Sequence, residues 1–340
     1  MEDVLSKKFV AFGELLLRLD PKGFSRFVQA DELIARYTGA EANVAVSLAH
    51  FGWEAWAVSR VPAHEIGQAA INQLRRYGVK ADHVARGGER LGLLYVETGA
   101  SQRPSKVIYD RSHSSFSDAS PEDFDWEKIL AGKGWFHFSG TAPARGRNVI
   151  GILEDALSVA ERLGITVSCD LNYRAKLWSV EEAARVLPDL LRSVDVLICG
   201  REDAEKLFGI RADASLPADE AASVQARELC RRFSLEAAAL TLRRGTSASV
   251  NVLAGLICVG ESCALSRDHE IQIVDRIGGG DAFAAGIIHG LASRWDPKAV
   301  VEFAAAAACL KHSIPGDFNL ASLEEVLDLV RGAGGGRVGR

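Results

Sequence analysis

No apolar run in this sequence approaches the roughly 20 residues that a helix needs to cross a bilayer. The nearest candidate, Phe303 to Leu310, is short and mostly alanine. Charge of one sign is missing too. Forty Lys+Arg against 45 Asp+Glu leave a formal net charge of −5, spread without long blocks. Nucleic-acid binding and attachment to a membrane surface therefore have no electrostatic support. The cysteines, Cys169, Cys199, Cys230, Cys258, Cys263 and Cys309, include no C-x-x-C pair and sit mostly in apolar segments. Reduced core thiols are the expectation, rather than a disulfide or zinc framework. The eight histidines include no H-E-x-x-H and no pair at helical ligand spacing, so no structural metal is expected. Met1 to Lys8 carries mixed charge and no apolar h-region, which predicts a cytoplasmic protein. There is no G-x-x-x-x-G-K-[ST], which removes a P-loop. The formal G-x-G-x-x-G at Gly334, Gly336 and Gly339 follows no strand and opens no helix, so dinucleotide binding falls with it.

What is present is an ordinary globular composition: 340 residues, 48% hydrophobic and 25% charged. A chain of this size can bury one large core, with or without a small attachment. Short apolar strands at Phe9 to Phe12, Ala55 to Ser59, Trp135 to Phe138, Ile165 to Cys169, Val194 to Ile198 and Ala238 to Leu242 alternate with helical stretches. That rhythm predicts βαβ units and a mostly parallel sheet. Leu91 to Glu97 and Lys106 to Asp110 break it, reading as a half-exposed ribbon that covers something. Val250 to Leu253 and Leu256 to Val259 read as a hairpin. Gly332 to Arg340 reads as a flexible tail.

Three stretches carry chemistry. In Val274 to Gly286, three glycines, Gly278, Gly279 and Gly280, lead into a small-residue helix whose first side chain is Asp281. Backbone without Cβ lets an anion approach, and a helix start aims free N–H groups at it. The bland alternative is a glycine loop with Asp281 stabilising the helix end. Ala282 to Gly286 could equally serve close packing against Ala304 to Ala308. The second stretch, Asp170, Asn172 and Arg174, falls just past a strand's C-terminal end, where open parallel sheets bind ligands. A surface Asp–Arg pair is the alternative. The third is Tyr95, Tyr109 and Arg111 on the ribbon, which could instead make a dimer contact.

These segments resemble the ribokinase (PfkB-type) carbohydrate kinases, and within them the 2-keto-3-deoxygluconate group, from Gly13-Glu14 to Pro315-Gly316-Asp317. Asp275-x-x-Gly278-x-Gly280-Asp281-Ala282-Phe283 with Gly286 matches the family's C-terminal signature. Gly39-x-x-x-Asn43 with Gly52 matches the N-terminal one, although the usual leading glycine is Thr38. Asp170-x-Asn172-x-Arg174-x-x-x-Trp178 and Gly140-Thr141-Ala142-Pro143 resemble the keto-deoxygluconate group. The resemblance implies a ribokinase-like three-layer α/β/α fold over residues 8–331, with a small β-sheet lid from roughly 14–38 and 91–116.

It further implies ATP-dependent phosphorylation of a sugar acid, 2-keto-3-deoxygluconate first, with Asp281 as general base and Gly278, Gly279 and Gly280 as anion hole. Gly39, Asn43, Tyr95, Tyr109, Arg111, Arg174 and Asp317 would hold the substrate. A guanidinium fork suits a carboxylate, and a neutral sugar would need none. Arg243, Arg244 and Gly245, with Gly278 and Gly280, would meet ATP. The family's N-x-x-E motif, tied to Mg²⁺, reads Gly200-Arg201-Glu202-Asp203 here, leaving Asp203 or Glu205 a water-mediated role. The family's Gly-Asp segment after the first helix reads Val61-Pro62-Ala63-His64-Glu65. A homodimer or higher homo-oligomer is expected. The competing readings are a kinase for fructose or another keto-sugar acid, and a sugar-acid-binding regulator that has lost catalysis.

Overall fold

A computed structural model describes residues 7–245 and 247–332 of the chain. The tail expected beyond Gly332 and its glycine pattern lie outside those residues. A ten-stranded sheet forms the centre. From one edge its strands run Ser262–Leu265, Val250–Val259, Ala237–Gly245, Val196–Gly200, Thr166–Asp170, Trp135–Ser139, Lys8–Phe12, Glu54–Val61 and Lys80–Arg86. His269–Gln272 pairs alongside Val250–Val259. Every pairing from Ala237–Gly245 to Lys80–Arg86 is parallel, and the remainder are antiparallel.

Both faces of this sheet are covered, as a parallel sheet requires. The period of two along Lys8–Phe12 makes the division visible. Phe9 and Ala11 enter one core cluster with Val46, Ile287 and Phe303; Val10 and Phe12 enter the other with Phe138, Ile152 and Leu197. On the first face lie the helices Ala40–His50, Glu65–Arg76, Gly279–Ala292, Pro297–Lys311 and Leu323–Val330, and on the second Arg147–Arg162, Val180–Leu190, Arg201–Phe208 and Ala218–Phe233. Gly279–Ala292 and Pro297–Lys311 touch backbone to backbone: a Cβ on Gly286 would stand 2.5 Å from Ala304 Cα. The small residues there do serve close packing.

A second, four-stranded sheet is built from Leu33–Thr38, Leu16–Pro21, Gly92–Glu97 and Lys106–Asp110, in that order. Leu16, Leu94 and Val96 form its own small core, with Tyr109 and Ile277 against it. It stands over the carboxyl ends of the parallel strands, where the loops after Trp135–Ser139, Thr166–Asp170 and Val196–Gly200 open.

Two expectations fail in the last third of the central sheet. The expected hairpin at Val250 to Val259 is a single ten-residue strand. Ala254-Gly255 reads as a turn because glycine breaks the pattern. Gly255 instead admits the Phe283 ring, whose Cε2 would lie 2.4 Å from any Cβ added there. The cysteines are not all free either. Strand Ser262–Leu265 turns back so that Cys258 and Cys263 face each other, 4.0 Å apart at Cα, and they form a disulfide. Spacing in sequence could not reveal a pairing that register creates. Cys169, Cys199, Cys230 and Cys309 are free thiols.

Candidate active site

The strand ends, the second sheet and the start of helix Gly279–Ala292 enclose a cavity of about 1260 Å³. Gly278 leads into the helix with φ +85°, a conformation glycine adopts without penalty. A Cβ there would also lie 1.9 Å from the Asp317 carbonyl oxygen. The Ala282 N–H closes on the Gly278 carbonyl at 2.9 Å. The amides of Gly278, Gly279, Gly280 and Asp281 are therefore the ones left without an intrahelical partner. Gly278, Gly279 and Gly280, expected as an anion hole, are three of these amides. Gly278 and Gly280 line the cavity; the Gly279 Cα instead lies against the His312 ring.

Asp281 lies at this helix start, 8% exposed. Burial pushes its carboxyl up to about 8, with the charges of Asp170, Glu41 and Asp317 adding to the rise. A 2.6 Å hydrogen bond donated by Asn43 Nδ2 to Asp281 Oδ2 works the other way. The Thr38 hydroxyl lies 3.1 Å from Asn43 Oδ1 and shares its single proton between that oxygen and an Asp317 carboxylate oxygen. The residue that departs from the N-terminal signature thus puts a hydroxyl between two site residues. Asp317 continues into Arg18, 1% exposed, which also pairs with Asp275 at 2.8 Å and Asp20 at 2.9 Å.

The remaining expected residues divide. Tyr109 and Arg111 line the cavity, but Arg111 is already engaged, with Nε 2.8 Å and Nη2 2.6 Å from Glu14 Oε2. Arg174 lines it with Nη1 donating only to the Tyr173 carbonyl at 3.2 Å; no carboxylate forms an ion pair with it among the described residues. Gly39 starts its helix beneath the Glu14 carbonyl, with 2.5 Å of room for a Cβ. Arg243 lines the cavity, its Nη2 3.5 Å from His312 Nε2, and burial lowers its pKa, with Arg276 and Arg174 opposing its charge. Arg244 reaches the cavity rim paired with Asp268, and Asp203 and Glu205 line the same end, Glu205 being 3.1 Å from Arg211.

One assignment is corrected. Tyr95 does not face the cavity: register pairs Leu94 with Tyr109 and Tyr95 with Ile108, so the two tyrosines point to opposite faces. Tyr95 packs edge-on to Phe27, beside an Ile108 that is 53% exposed. Gly245 lies opposite Asn251 at the end of its strand, next to Arg244. Sequence reading also passed over Arg18, Glu14 and Glu41. Leu-Arg-Leu-Asp at 17–20 has the alternation of a solvated strand, and nothing local indicates that its polar face is roofed. Glu41 accepts from Ser139 Oγ inside the cavity wall, and burial raises its carboxyl pKa.

With this geometry in hand, residues 6–319 match the profile of the pfkB family carbohydrate kinases. The chain belongs to that family. The kinase is 48% identical to the 2-dehydro-3-deoxygluconokinase of Thermotoga maritima, whose crystal structure superposes with a TM-score of 0.93 over 96% of this chain and 98% of that one. It is 32% identical to the 2-dehydro-3-deoxygalactonokinase of Haloferax volcanii over 98% of this chain and 99% of the relative. A fructokinase from Xylella fastidiosa with bound ATP shares the fold at 22% identity and TM-score 0.78, covering 97% of the kinase and 99% of that chain. Among the described residues no helix of the kinase is long and apolar enough to cross a membrane.

Proposed function

We propose that this carbohydrate kinase transfers the γ-phosphoryl group of ATP to the terminal 6-hydroxyl of 2-keto-3-deoxygluconate. The observation that carries the reading is Asp281: a buried carboxyl at the start of the glycine helix, oriented by Asn43 and open to a cavity that also holds Arg174 and Arg243, which form no carboxylate ion pair among the described residues. Asp281 takes the hydroxyl proton as the sugar oxygen bonds to the γ-phosphorus and the bond to the β-phosphate oxygen breaks, releasing ADP. The amides of Gly278, Gly279 and Gly280 receive charge on the transferred oxygens. With the carboxyl pushed up to about 8, the proton is accepted by the ionised fraction, which grows as pH rises toward that value.

Arg174 and Arg243, with Arg276, supply positive charge without carboxylate ion pairs among the described residues, which suits phosphate and carboxylate groups. Arg111 reaches the acid end as one half of a pair with Glu14, so it contributes directed N–H groups more than net charge. Magnesium fits the donor set through water. Asp170, pushed up to about 7 by burial with Asp203's charge adding, and Asp203, also raised by burial, face the same cavity. Among the described residues no three acidic, His or Cys side chains converge as a closed cage. Mg²⁺ favours that arrangement, keeping several waters and taking one or two carboxylates plus phosphates, where it would neutralise phosphate charge.

The galacto epimer is a second reading, favoured by the similarity to the Haloferax kinase. The two epimers differ at a single hydroxyl. Comparing kcat/KM for both epimers and fructose tests the proposal. The keto-acids should exceed fructose by at least about tenfold, the scale of one lost charged hydrogen bond; equal efficiency on fructose would remove the acid assignment. We also infer a homodimer through the outer face of the four-stranded sheet, where Ile108, Phe24 and Val28 are exposed and Tyr95 is half-buried against Phe27. Light scattering showing a monomer at micromolar concentration would reject it.

A further inference from the structure

Lys311 is wholly buried, yet no carboxylate forms an ion pair with it among the described residues. It ends the helix Pro297–Lys311, and its Nζ donates to two backbone carbonyls, Asp275 O and Ile314 O, each at 3.1 Å. Those carbonyls belong to different loops. Asp275 is three residues before Gly278, and Ile314 three residues before Asp317. The loops touch where Gly278 meets the Asp317 carbonyl, and Gly316 N–H donates to Asp275 Oδ2 at 3.0 Å. The ammonium is thus a clip between the loop that sets the glycine amides and the loop that carries Asp317.

Its chemistry resembles that of a bound ion more than of a salt bridge. Burial lowers its pKa and so does Arg18, while the charges of Asp275, Asp317 and Asp281 raise it. The carboxylates of Asp275 and Asp317 are both taken by Arg18, so they support the ammonium only at a distance. Direct ligation comes from carbonyl oxygens, the donors that replace water around a potassium ion. The helix C-terminus adds its negative dipole end.

We propose that Lys311 is a built-in monovalent cation, occupying between the Asp275 and Ile314 carbonyls the place that K⁺ or NH₄⁺ could otherwise take. The anion-hole loop is thereby set without an ion drawn from solution. Lys311 is a positioning residue, acting on the glycine amides through Asp275. The inference rests on the proposed use of those amides for phosphoryl transfer.

The test compares wild type, Lys311→Ala and Lys311→Met in KCl, NH₄Cl, NaCl and choline chloride at equal ionic strength, by kcat and by Tm without substrate. Wild type should be indifferent to the cation in both. Lys311→Ala should lose about 10²-fold in kcat in choline, the scale of a misplaced catalytic group. It should recover much of that loss in KCl or NH₄Cl, with a higher Tm. Lys311→Met, which fills the space without charge, should lose activity and recover nothing. A wild type stimulated several-fold by K⁺ would overturn the proposal, as would a folded Lys311→Ala insensitive to every cation. If Lys311→Ala folds in none of the salts, the wild-type comparison decides. The melting measurements need no substrate, so they fail only with the cation assignment; a wild type silent on every sugar acid would instead fail the proposed reaction.

Discussion

Asn43 Nδ2 donates to Asp281 Oδ2 over 2.6 Å, joining residues 238 positions apart. The bond favours the charged carboxylate, against a burial effect that pushes the group up to about 8. Since kcat/KM reports free-enzyme groups, its acid limb should rise through roughly pH 7–8. That limb belongs to the coupled carboxyls Asp281 and Asp170 together, not to either alone. Asn43→Ala removes a stabiliser of the anion, so the limb should move to higher pH. A lowered plateau with an unmoved limb would mean that Asn43 serves the sugar alone.

The same raised pKa has a stability consequence of opposite use. Asp281 ionises near 3.9 when unfolded and near 8 when folded. The folded state therefore holds a proton that the unfolded state releases, and this contribution is lost as pH rises from about 4 through 8. Asp281→Asn cannot ionise. Its Tm should exceed that of wild type at pH 8, with the difference closing toward pH 5. A lower Tm at pH 8 would show that the buried charge is compensated in the empty enzyme.

Arg18 compensates Asp20, Asp275 and Asp317 inside the protein. Removing one partner of a buried ionic network costs about 3–5 kcal/mol, because the others are left uncompensated. Arg18→Met should therefore lower unfolding free energy on that scale in urea titration. A change under about 1 kcal/mol would place the network's charges in contact with water.

Among the described residues no carboxylate forms an ion pair with Arg174, and its positive charge works against the raised pKa of Asp170 and Asp203. Arg174→Ala should raise KM for a sugar acid or for ATP by about 10-fold, about 1.4 kcal/mol. It should also raise the Asp170 titration. The substrate whose KM responds identifies the anion that Arg174 meets, and unchanged KM for both would remove it from the site.

Legibility of the site followed chain distance. Gly278, Gly280 and Asp281 are close in sequence, so their grouping at one helix start could be read from the sequence. The alternating strands and helices also emerged as written, because each strand's burial on both faces leaves a continuous apolar run. Arg18 could not be read, since its partners Asp275 and Asp317 lie 257 and 299 residues away. Tyr95 and Tyr109 were grouped by type, and only strand register separates their faces. Gly255 was mistaken for a turn because a glycine admitting a neighbour's ring carries the same letter as one that bends the chain.

The most direct test of the account measures wild type and Asp281→Asn side by side for nucleotide affinity and for ADP release with 2-keto-3-deoxygluconate. The account predicts ATP binding within a few-fold of wild type and turnover lowered by roughly 10²–10⁴, the loss expected for a positioned base. Near-normal turnover by the variant would contradict it.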